Sequence, residues 1–281
     1  IVSYLEGPTA RIVSGCTNPN TKLVSWIHIE QHTKELASKS FRSYKEALDC
    51  YSKFDRTVCV SDTVKDDFES IFDTKKSVEV LYNTNESEKI KKLSDEKVDD
   101  VNFSKDIINI ISVAKIVPSK GYDRLMKIHK KLIEENIKNH IYILGIGEEK
   151  EKYEKYLTEN NLTDTFTFLG YRDNPYKYVR KADLYVCSSR REGFSTAVTE
   201  ALIVGTPVVS TNCSGAYELL GKNNEYGIVT ENNEDALYEG IKKILTTPDL
   251  LEAYAAKAKE RGKAFSTEKT VKSVEEMLEN L

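Results

Sequence analysis

The chain has 281 residues, of which 40% are hydrophobic and 31% charged, and its net charge is −4. This near-neutral balance excludes a strong electrostatic attraction to nucleic acid, and no apolar run approaches the roughly 20 residues that cross a bilayer. The length is typical of two domains of ordinary size, each with enough apolar residues for a core.

Along the chain, short runs rich in Val, Ile and Leu alternate with helical patterns. We predict strands at Leu23–His28, Arg56–Ser61, Ser77–Leu81, Ile107–Ala114, His140–Leu144, Thr165–Leu169, Leu184–Cys187 and Pro207–Ser210. We predict helices at Tyr122–Asn136, Glu148–Asn160, Thr196–Val204, Glu234–Thr246 and about Thr267–Leu281. Near-continuous apolar runs are typical of parallel strands that are buried on both faces. The alternation therefore predicts an α/β fold with parallel sheets.

Residues 83–106 are polar and charge-rich, and we predict a helix-containing linker between two domains there. The predicted segments are residues 1–102, which include this linker, residues 103–262, and a C-terminal helical segment, 263–281. The first segment has about three predicted strands, fewer than the four to six of an ordinary sheet. We therefore expect the first domain to be incomplete.

The cysteines and histidines are scattered, and none forms the close pairs that a zinc site requires. We expect reduced, mostly buried thiols and no metal site. The residues are Cys16, Cys50, Cys59, Cys187, Cys213, His28, His32, His129 and His140.

The segment from Glu192 to Gly205 carries the strongest functional signal. A buried strand ends at Cys187, a polar loop follows, and a helix begins near Ser195 or Thr196. Ligands of parallel α/β sheets bind beyond the carboxyl ends of the strands, and a helix N-terminus attracts anions. Gly193 would let a ligand approach the backbone closely, whereas Ser195 or Thr196 could simply cap the helix.

Glu200 lies in the second turn of this predicted helix. A carboxylate beside a diphosphate would be repelled, but one placed a step further out can accept hydrogen bonds from the hydroxyls of a ribose. The alternative is an ordinary solvated glutamate on a helix surface.

The pattern Glu192-Gly193-Phe194, Glu200-Ala201 and Gly205-Thr206-Pro207-Val208-Val209 resembles the E-x7-E signature of glycosyltransferase family 4. The resemblance extends over residues 107–246 through Lys115, Pro118, Lys120-Gly121, Gly145, Gly147, Gly170 and Ala182-Asp183, and more weakly to Trp26-Ile27-His28. It implies a GT-B architecture of two Rossmann-like domains. Residues 1–102 would then be a partial acceptor-side domain, 103–262 the nucleotide-sugar-binding domain, and 263–281 a helix that crosses back to the first domain.

The resemblance also implies roles for individual residues. Lys115 and Lys120 would contact the donor diphosphate and balance the charge of the leaving group, and Glu192 would lie near the donor sugar hydroxyls. His28 would face the donor sugar from the first domain, with an ordinary residue at a strand end as the alternative. Lys120, Glu192 and His28 are the expected catalytic residues.

The remaining implied contacts bind the donor. Backbone N–H groups of Gly193, Phe194 and Ser195 would meet sugar or phosphate, Glu200 would hold the ribose, and the base would lie near Tyr171 and Arg172.

Several positions depart from the family pattern. Lys115 stands where most members have Arg, so a bidentate contact is lost. Ser214 replaces the first of two glycines before Ala216, and Ser188 replaces a proline. The family's first strand and Gly-rich loop are absent, and the chain begins with Ile1 rather than Met. We therefore expect an N-terminally truncated first domain.

The implied activity is retaining transfer of a sugar from a nucleotide-sugar, expected to be a UDP-sugar, to an acceptor hydroxyl. The sequence contains no D-x-D motif, which agrees with metal-independent transfer, and we expect neither a metal nor a cofactor. Three alternatives are open: a disaccharide phosphorylase, a nucleotide-sugar epimerase, or a non-catalytic partner subunit. A Rossmann dehydrogenase is disfavoured, because no G-x-G-x-x-G opens a helix.

Composition rich in Lys, Asn, Ile and Tyr is typical of AT-rich bacterial genomes. In such bacteria this family often builds capsule and other surface polysaccharides. The expected partners are thus a nucleotide-sugar donor and a glycan or lipid-linked glycan acceptor. We expect a cytoplasmic protein that meets the inner face of the membrane.

Overall fold

The structure is a computed structural model that describes residues 1–74 and 76–281. Its contacts divide the chain into two compact units. Unit 1 comprises residues 1–84, 192–194 and 268–281, and unit 2 comprises residues 85–191 and 195–267. Within the described residues, none of the helices combines the length and apolar character needed to cross a membrane.

Unit 1 is built around a parallel sheet of four strands in the order β1-β2-β3-β4. Its elements in chain order are β1 (Val2–Ser3), α1 (Pro8–Val13), β2 (Val24–Ile27), α2 (Lys34–Ala37), α3 (Tyr44–Tyr51), β3 (Arg56–Cys59), α4 (Asp62–Ile71) and β4 (Ser77–Val80).

The middle strands of this sheet are buried as their composition predicts. All four residues of β2 are buried, as are the last three of β3. The Ser61 hydroxyl accepts a hydrogen bond from the Val64 N–H and caps α4, so the helix begins directly after the strand. The unit 1 sheet has one strand more than the three that the sequence predicts. The additional strand is β1, which has only two residues and leaves no periodic signal.

Unit 2 holds a six-stranded parallel sheet in the order β10-β9-β8-β5-β6-β7. Its elements are α5 (Ser87–Ser94), β5 (Ile108–Val113), α6 (Tyr122–Glu134), β6 (Asn139–Leu144), α7 (Lys150–Glu159), β7 (Phe166–Gly170), α8 (Tyr176–Lys181), β8 (Leu184–Cys187), α9 (Thr196–Val204), β9 (Val208–Thr211), α10 (Ala216–Leu220), β10 (Ile228–Thr230), α11 (Glu234–Thr246) and α12 (Leu250–Gly262). A final helix, α13 (Thr267–Glu279), ends the chain.

The strand order of unit 2 fixes where a ligand can bind. Strands β6 and β7 extend the sheet on one side of β5, and β8, β9 and β10 extend it on the other. This is the doubly wound order, in which the connections change direction between the first and fourth strands. A crevice therefore opens beyond the carboxyl ends of β5 and β8, and the predicted α/β class with parallel sheets is confirmed.

The core of unit 2 lies between this sheet and the helices on its faces. Its fully buried members include Ile110, Leu125, Ile141, Leu184 and Ile241. Each comes from a different strand or helix, so burial of apolar surface fixes the elements against one another.

The segment 83–106 packs more than its composition predicts. Ile90 of α5 is 3% exposed, and Ser87 and Ser94 are also buried. The Asn174 side-chain amide donates a hydrogen bond of 2.8 Å to the Leu93 carbonyl. Residues 85–102 therefore belong to unit 2, whereas the sequence-based boundaries place them in the first domain. A single buried isoleucine in a charged helix is too weak a pattern to reveal this.

Helix α13 groups with unit 1 through residues 268–281. Met277 is buried, and the Arg56 guanidinium donates to the Asn280 carbonyl at 3.2 Å. The apolar spacing of Val271, Val274 and Met277 predicts this helix, and it forms within two residues of the expected end.

Candidate functional site

The loop after β5 carries both predicted phosphate-binding lysines. Ile116 is fully buried in the core, so its neighbour Lys115 is directed outward and is exposed. A 3-10 turn at Pro118–Lys120 follows, and Lys120 is half-buried. Gly121 then takes a left-handed conformation (φ 69°) and leads into α6.

The loop after β6 packs its backbone directly against the loop after β5. A Cβ on Gly145 would lie 1.9 Å from the Ala114 carbonyl oxygen, and one on Gly147 would lie 2.2 Å from that of Ile116. The Ile116 N–H also donates to the Ile146 carbonyl at 2.9 Å. The two glycines therefore hold the lysine loop in place, which is a stronger role than a simple turn.

The loop after β8 is held by a buried guanidinium. Arg124 of α6 is 4% exposed and donates to the carbonyl oxygens of Ser188 (2.8 Å) and Ser189 (2.6 Å) and to the Asn232 side chain (2.9 Å). The Ser188 hydroxyl donates to the Lys120 carbonyl at 2.8 Å. The serine that replaces the family's proline thus joins the loops after β5 and β8.

A bidentate ion pair joins Asp123, at the start of α6, to Arg190 in the loop after β8. Both oxygen–nitrogen distances are 2.7 Å, and the Arg190 guanidinium holds the pKa of the Asp123 carboxyl below its usual range. The Arg190 N–H also donates to the Ser119 carbonyl at 2.7 Å. The carboxyl ends of β5, β6 and β8 therefore carry one fixed set of loops.

Helix α9 begins at this edge of the sheet. The Ser195 hydroxyl accepts a hydrogen bond of 3.4 Å from the Val198 N–H, so the cap that the sequence allowed at Ser195 or Thr196 is formed by Ser195. The positive end of the helix dipole lies here, together with backbone N–H groups of the first turn.

Glu200 lies in the second turn of α9 and is half-buried. Burial raises the pKa of its carboxyl to about 7, and a hydrogen bond from the Tyr176 hydroxyl to Oε1, at 3.4 Å, partly opposes this rise. Glu200 is thus not the solvated surface glutamate of the alternative interpretation.

The turn after β7 separates the two residues that were predicted to contact the base. Tyr171 is 66% exposed, whereas the Arg172 guanidinium is paired with Asp100 at 3.0 Å. Tyr178 also donates to Asp100, at 2.8 Å. Arg172 therefore connects the turn after β7 to Asp100, and of the two predicted base contacts Tyr171 is the one that faces solvent.

Four predicted site residues group with unit 1. His28 follows β2, and its backbone N–H donates to the Glu6 carboxylate at 2.9 Å. A Cβ on Gly193 would lie 2.0 Å from the His28 carbonyl oxygen, so the chain's own backbone uses the space that glycine leaves. Phe194 stacks on Tyr82 with a centroid distance of 5.1 Å, and Glu192 is half-buried.

Within unit 2, the fold brings Lys115, Lys120, Tyr171, Ser195 and Glu200 to the carboxyl edge of one sheet. Among residues 1–74 and 76–281, no cluster of His, Cys, Asp and Glu could hold a metal ion.

Sequence reasoning missed Arg124 and Tyr176. Arg124 leaves a trace in the sequence, because it stands in line with Ile128 and Leu132 on the buried face of α6. Tyr176 leaves none, since it lies on a different helix from Glu200 and 24 positions away from it.

Comparison with known proteins gives a consistent result. Residues 94–261 match the family model described as glycosyl transferases group 1. An N-acetylgalactosaminyltransferase of Campylobacter jejuni, named for a diphospho-undecaprenol-linked substrate, is 30% identical over 260 residues, which are 92% of this chain and 66% of that protein. A poly(ribitol-phosphate) alpha-N-acetylglucosaminyltransferase of Staphylococcus aureus is 27% identical over 151 residues, 53% of this chain and 30% of that protein.

Among solved structures, Anabaena HepE in complex with UDP superposes with a TM-score of 0.76 at 18% identity, covering 92% of this chain and 72% of that one. At this identity the likeness concerns the fold, which is GT-B. The chain spans 66% of the length of its Campylobacter relative. The family model covers well over half of the chain and includes the whole edge that carries Lys115, Lys120 and Glu200, so the chain belongs to the glycosyl transferases group 1 family.

Proposed function

We propose that this chain is a retaining glycosyltransferase that moves a sugar from a UDP-sugar to an acceptor hydroxyl. One observation carries the proposal: Glu200 places a half-buried carboxyl one turn inside the helix that begins at the switch point of the unit 2 sheet. A buried carboxyl at that place fits a diol such as that of ribose, because two hydroxyl groups can satisfy it.

The diphosphate would bind between the loop after β5 and the start of α9. Lys115 and Lys120 supply positive charge, and the α9 N-terminus supplies N–H groups and its dipole. Because the glycine contacts and Arg124 hold these loops, the charges are preorganised for the negative charge that develops on the leaving diphosphate. The base would stack on Tyr171, which is largely exposed.

The donor sugar would meet Glu192, the backbone of Gly193, Phe194 and Ser195, and His28. In the proposed reaction the bond between the anomeric carbon and the diphosphate oxygen breaks, and the acceptor oxygen bonds to the same face of that carbon. The acceptor proton passes to the departing phosphate. Lys120 would stabilise the charge on that phosphate without a divalent metal or other cofactor.

The two relatives suggest the class of acceptor. One is named for a lipid diphosphate-linked glycan and the other for poly(ribitol-phosphate). We therefore propose a glycan or lipid-linked acceptor in bacterial surface polysaccharide synthesis, such as capsule, reached by a cytoplasmic enzyme at the inner face of the membrane.

A thermal-shift panel with UDP, GDP and ADP tests the donor site, since a ligand that binds the native state raises the Tm. UDP is expected to give the largest rise. Absence of a rise with all three nucleotides would refute the donor site.

Product analysis with UDP-sugars then separates the reactions. An epimerase changes the sugar without an acceptor, a phosphorylase needs inorganic phosphate, and a non-catalytic partner subunit makes no product. Transfer with an unchanged anomeric configuration, measured by NMR, is the expected result.

A further inference from the structure

Tyr176 and Glu200 form an isolated hydrogen-bonded pair on two neighbouring helices. Tyr176 is the first residue of α8, and its hydroxyl reaches Oε1 of Glu200 at 3.4 Å. Both side chains are half-buried. This contact engages one oxygen of the carboxyl, so the second oxygen is available to a ligand.

The helices packed against α9 bring no cation to this carboxyl. Within the described residues, Tyr176 is the one group that shifts the pKa of Glu200, apart from the effect of burial. Arg180 of α8 is paired with Asp95 of the α5 end at 3.3 Å, and Lys259 of α12 lies beside Gly205 at the far end of α9.

Glu86, at the start of α5, acts electrostatically on the Tyr176 hydroxyl. Burial, and to a smaller extent Glu200 and Glu86, raise the pKa of Tyr176 to about 12, so its hydroxyl stays a donor at neutral pH. Within the part of the chain that the structure describes, a negative charge on Glu200 is therefore supported by the Tyr176 hydrogen bond and by no counter-charge.

We propose that Tyr176 and Glu200 make donor binding proton-coupled. Below pH 7 the nucleotide-free chain holds Glu200 mostly with a proton, and binding of the nucleotide releases that proton to solvent. Tyr176 is the positioning residue, because its hydroxyl holds Oε1 while the other oxygen accepts a hydrogen bond from the ribose. This inference rests on the proposed function.

The proton balance follows from hydrogen bonding. A protonated carboxyl must use one oxygen as a donor, whereas the ionised form accepts at both oxygens, from Tyr176 and from the ribose. Hydrogen bonds to the charged form favour ionisation, so the bound state has the lower pKa. Affinity then rises with pH through the pKa of about 7 in the empty site and levels off above it.

Calorimetric titration of the full chain with UDP from pH 5.5 to 8.5, in two buffers of different ionisation enthalpy, tests this directly. We expect affinity to rise about tenfold between pH 6 and pH 8, with net proton release near pH 7. Glu200→Gln keeps the titration of the UDP phosphate itself and should lose the additional rise.

Tyr176→Phe keeps the ring and removes the hydroxyl. We expect its pH midpoint to move upward by about half a unit to one unit, and its preference for UDP over 2′-deoxy-UDP to fall about fivefold. Tyr254→Phe is the matched control, because it also deletes a partly buried hydroxyl, one that donates to the Asn224 carbonyl at 3.0 Å. It should retain the wild-type midpoint and preference.

The outcomes separate the two proposals. If the wild-type chain binds none of UDP, GDP and ADP, the proposed function fails and this inference fails with it. If UDP binds but Tyr176→Phe keeps the wild-type midpoint and ribose preference, the donor site stands and the proton-coupled role of the pair is overturned.

Discussion

The two edges of the unit 2 sheet both carry lysines, but they are built differently. At the carboxyl edge, the loops after β5, β6 and β8 are joined by backbone contacts, by Arg124 and by the start of α9. At the amino edge, an open cavity of about 400 Å³ is lined by Lys105, Lys138 and Lys181. Within the described residues these three lysines have no hydrogen-bond or ion-pair partner.

The difference shows that positive charge alone does not define a phosphate site. Lys181 lies in the last turn of α8, where a cation complements the negative end of the helix dipole. Lys115 and Lys120 instead share their edge with a helix N-terminus and with loops that cannot move independently. Four measurements test this difference between the two edges.

The first compares one lysine from each edge. Lys120→Ala should lower kcat about 10²–10³-fold, because it removes a preorganised charge from the leaving diphosphate, whereas Lys138→Ala at the amino edge should leave kcat within about twofold. Steady-state kinetics with a UDP-sugar donor measures both variants. Equal rates for Lys120→Ala and the wild type would contradict the catalytic role.

The second concerns the buried guanidinium of the carboxyl edge. Arg124→Met should lower the free energy of unfolding by about 3 kcal/mol, because it takes the buried guanidinium donor from the Ser188 carbonyl oxygen and removes one of the donors to the Ser189 carbonyl oxygen. Urea denaturation measures the change.

Arg190→Met is the control for this effect, since it breaks the more exposed pair with Asp123. Its cost should be about 1 kcal/mol. Similar losses in the two variants would show that Arg124 does not hold the loop more strongly than a surface ion pair.

The third measurement separates two costs of replacing a glycine: the strain of a positive φ, and the clash of the added Cβ with the backbone of another loop. Gly121 and Gly170 have nearly the same φ, 69° and 74°. An added Cβ at Gly121 would lie 2.1 Å from the Ser188 carbonyl oxygen, whereas at Gly170 it would come no closer than 3.9 Å to the Arg172 side chain. Gly121→Ala should cost about 2–3 kcal/mol and Gly170→Ala about 1 kcal/mol, by thermal or urea unfolding. Equal costs for the two variants would mean that the loop after β8 moves to accommodate the methyl group added at Gly121.

The fourth measurement concerns the titration of His129, which lies near the amino edge of the unit 2 sheet. His129 is fully buried between Asn139 and Thr165, each at 2.8 Å, and burial lowers its pKa to about 4. A depressed histidine pKa means that the unfolded chain binds the proton first, so stability falls as pH drops from about 6.5 toward 4.

Between pH 7 and pH 5 this loss should be about 2 kcal/mol for the wild type. His129→Gln should lose that part of the pH dependence, whatever its absolute stability. An unchanged slope of unfolding free energy against pH would show that His129 is not held neutral.

Most of the fold could be predicted from local patterns. The eight predicted strands form within two residues of their expected ends, because most of them are rich in Val, Ile, Leu and Phe and are bounded by polar residues. Strands β1 and β10 were missed, since two and three residues carry no period. Helix α12 was missed because its small apolar residues, such as Ala253 and Ala256, give little amphipathic contrast.

The candidate site was only partly readable. The position of Lys115, Lys120 and Glu200 beyond strand ends or in the following helix follows from sequence order, and so does their family resemblance. The sequence could not tell whether a glycine makes room for a ligand or for the protein itself. Gly121 and Gly193 both lie against carbonyl oxygens of the chain, at distances that only the folded backbone defines.

Local periodicity and motif spacing are enough to predict the parallel α/β class and the family, and they point to the residues that we propose for donor binding. The tertiary structure decided which connections change direction, which loops lock together, and which carboxyl is removed from water. These depend on contacts between distant segments: β5 meets β8 across more than 70 residues, and Glu200 meets Tyr176 from another helix. The burial of a carboxyl such as that of Glu200 and the order of the strands are properties of the packed chain, and no local pattern encodes them.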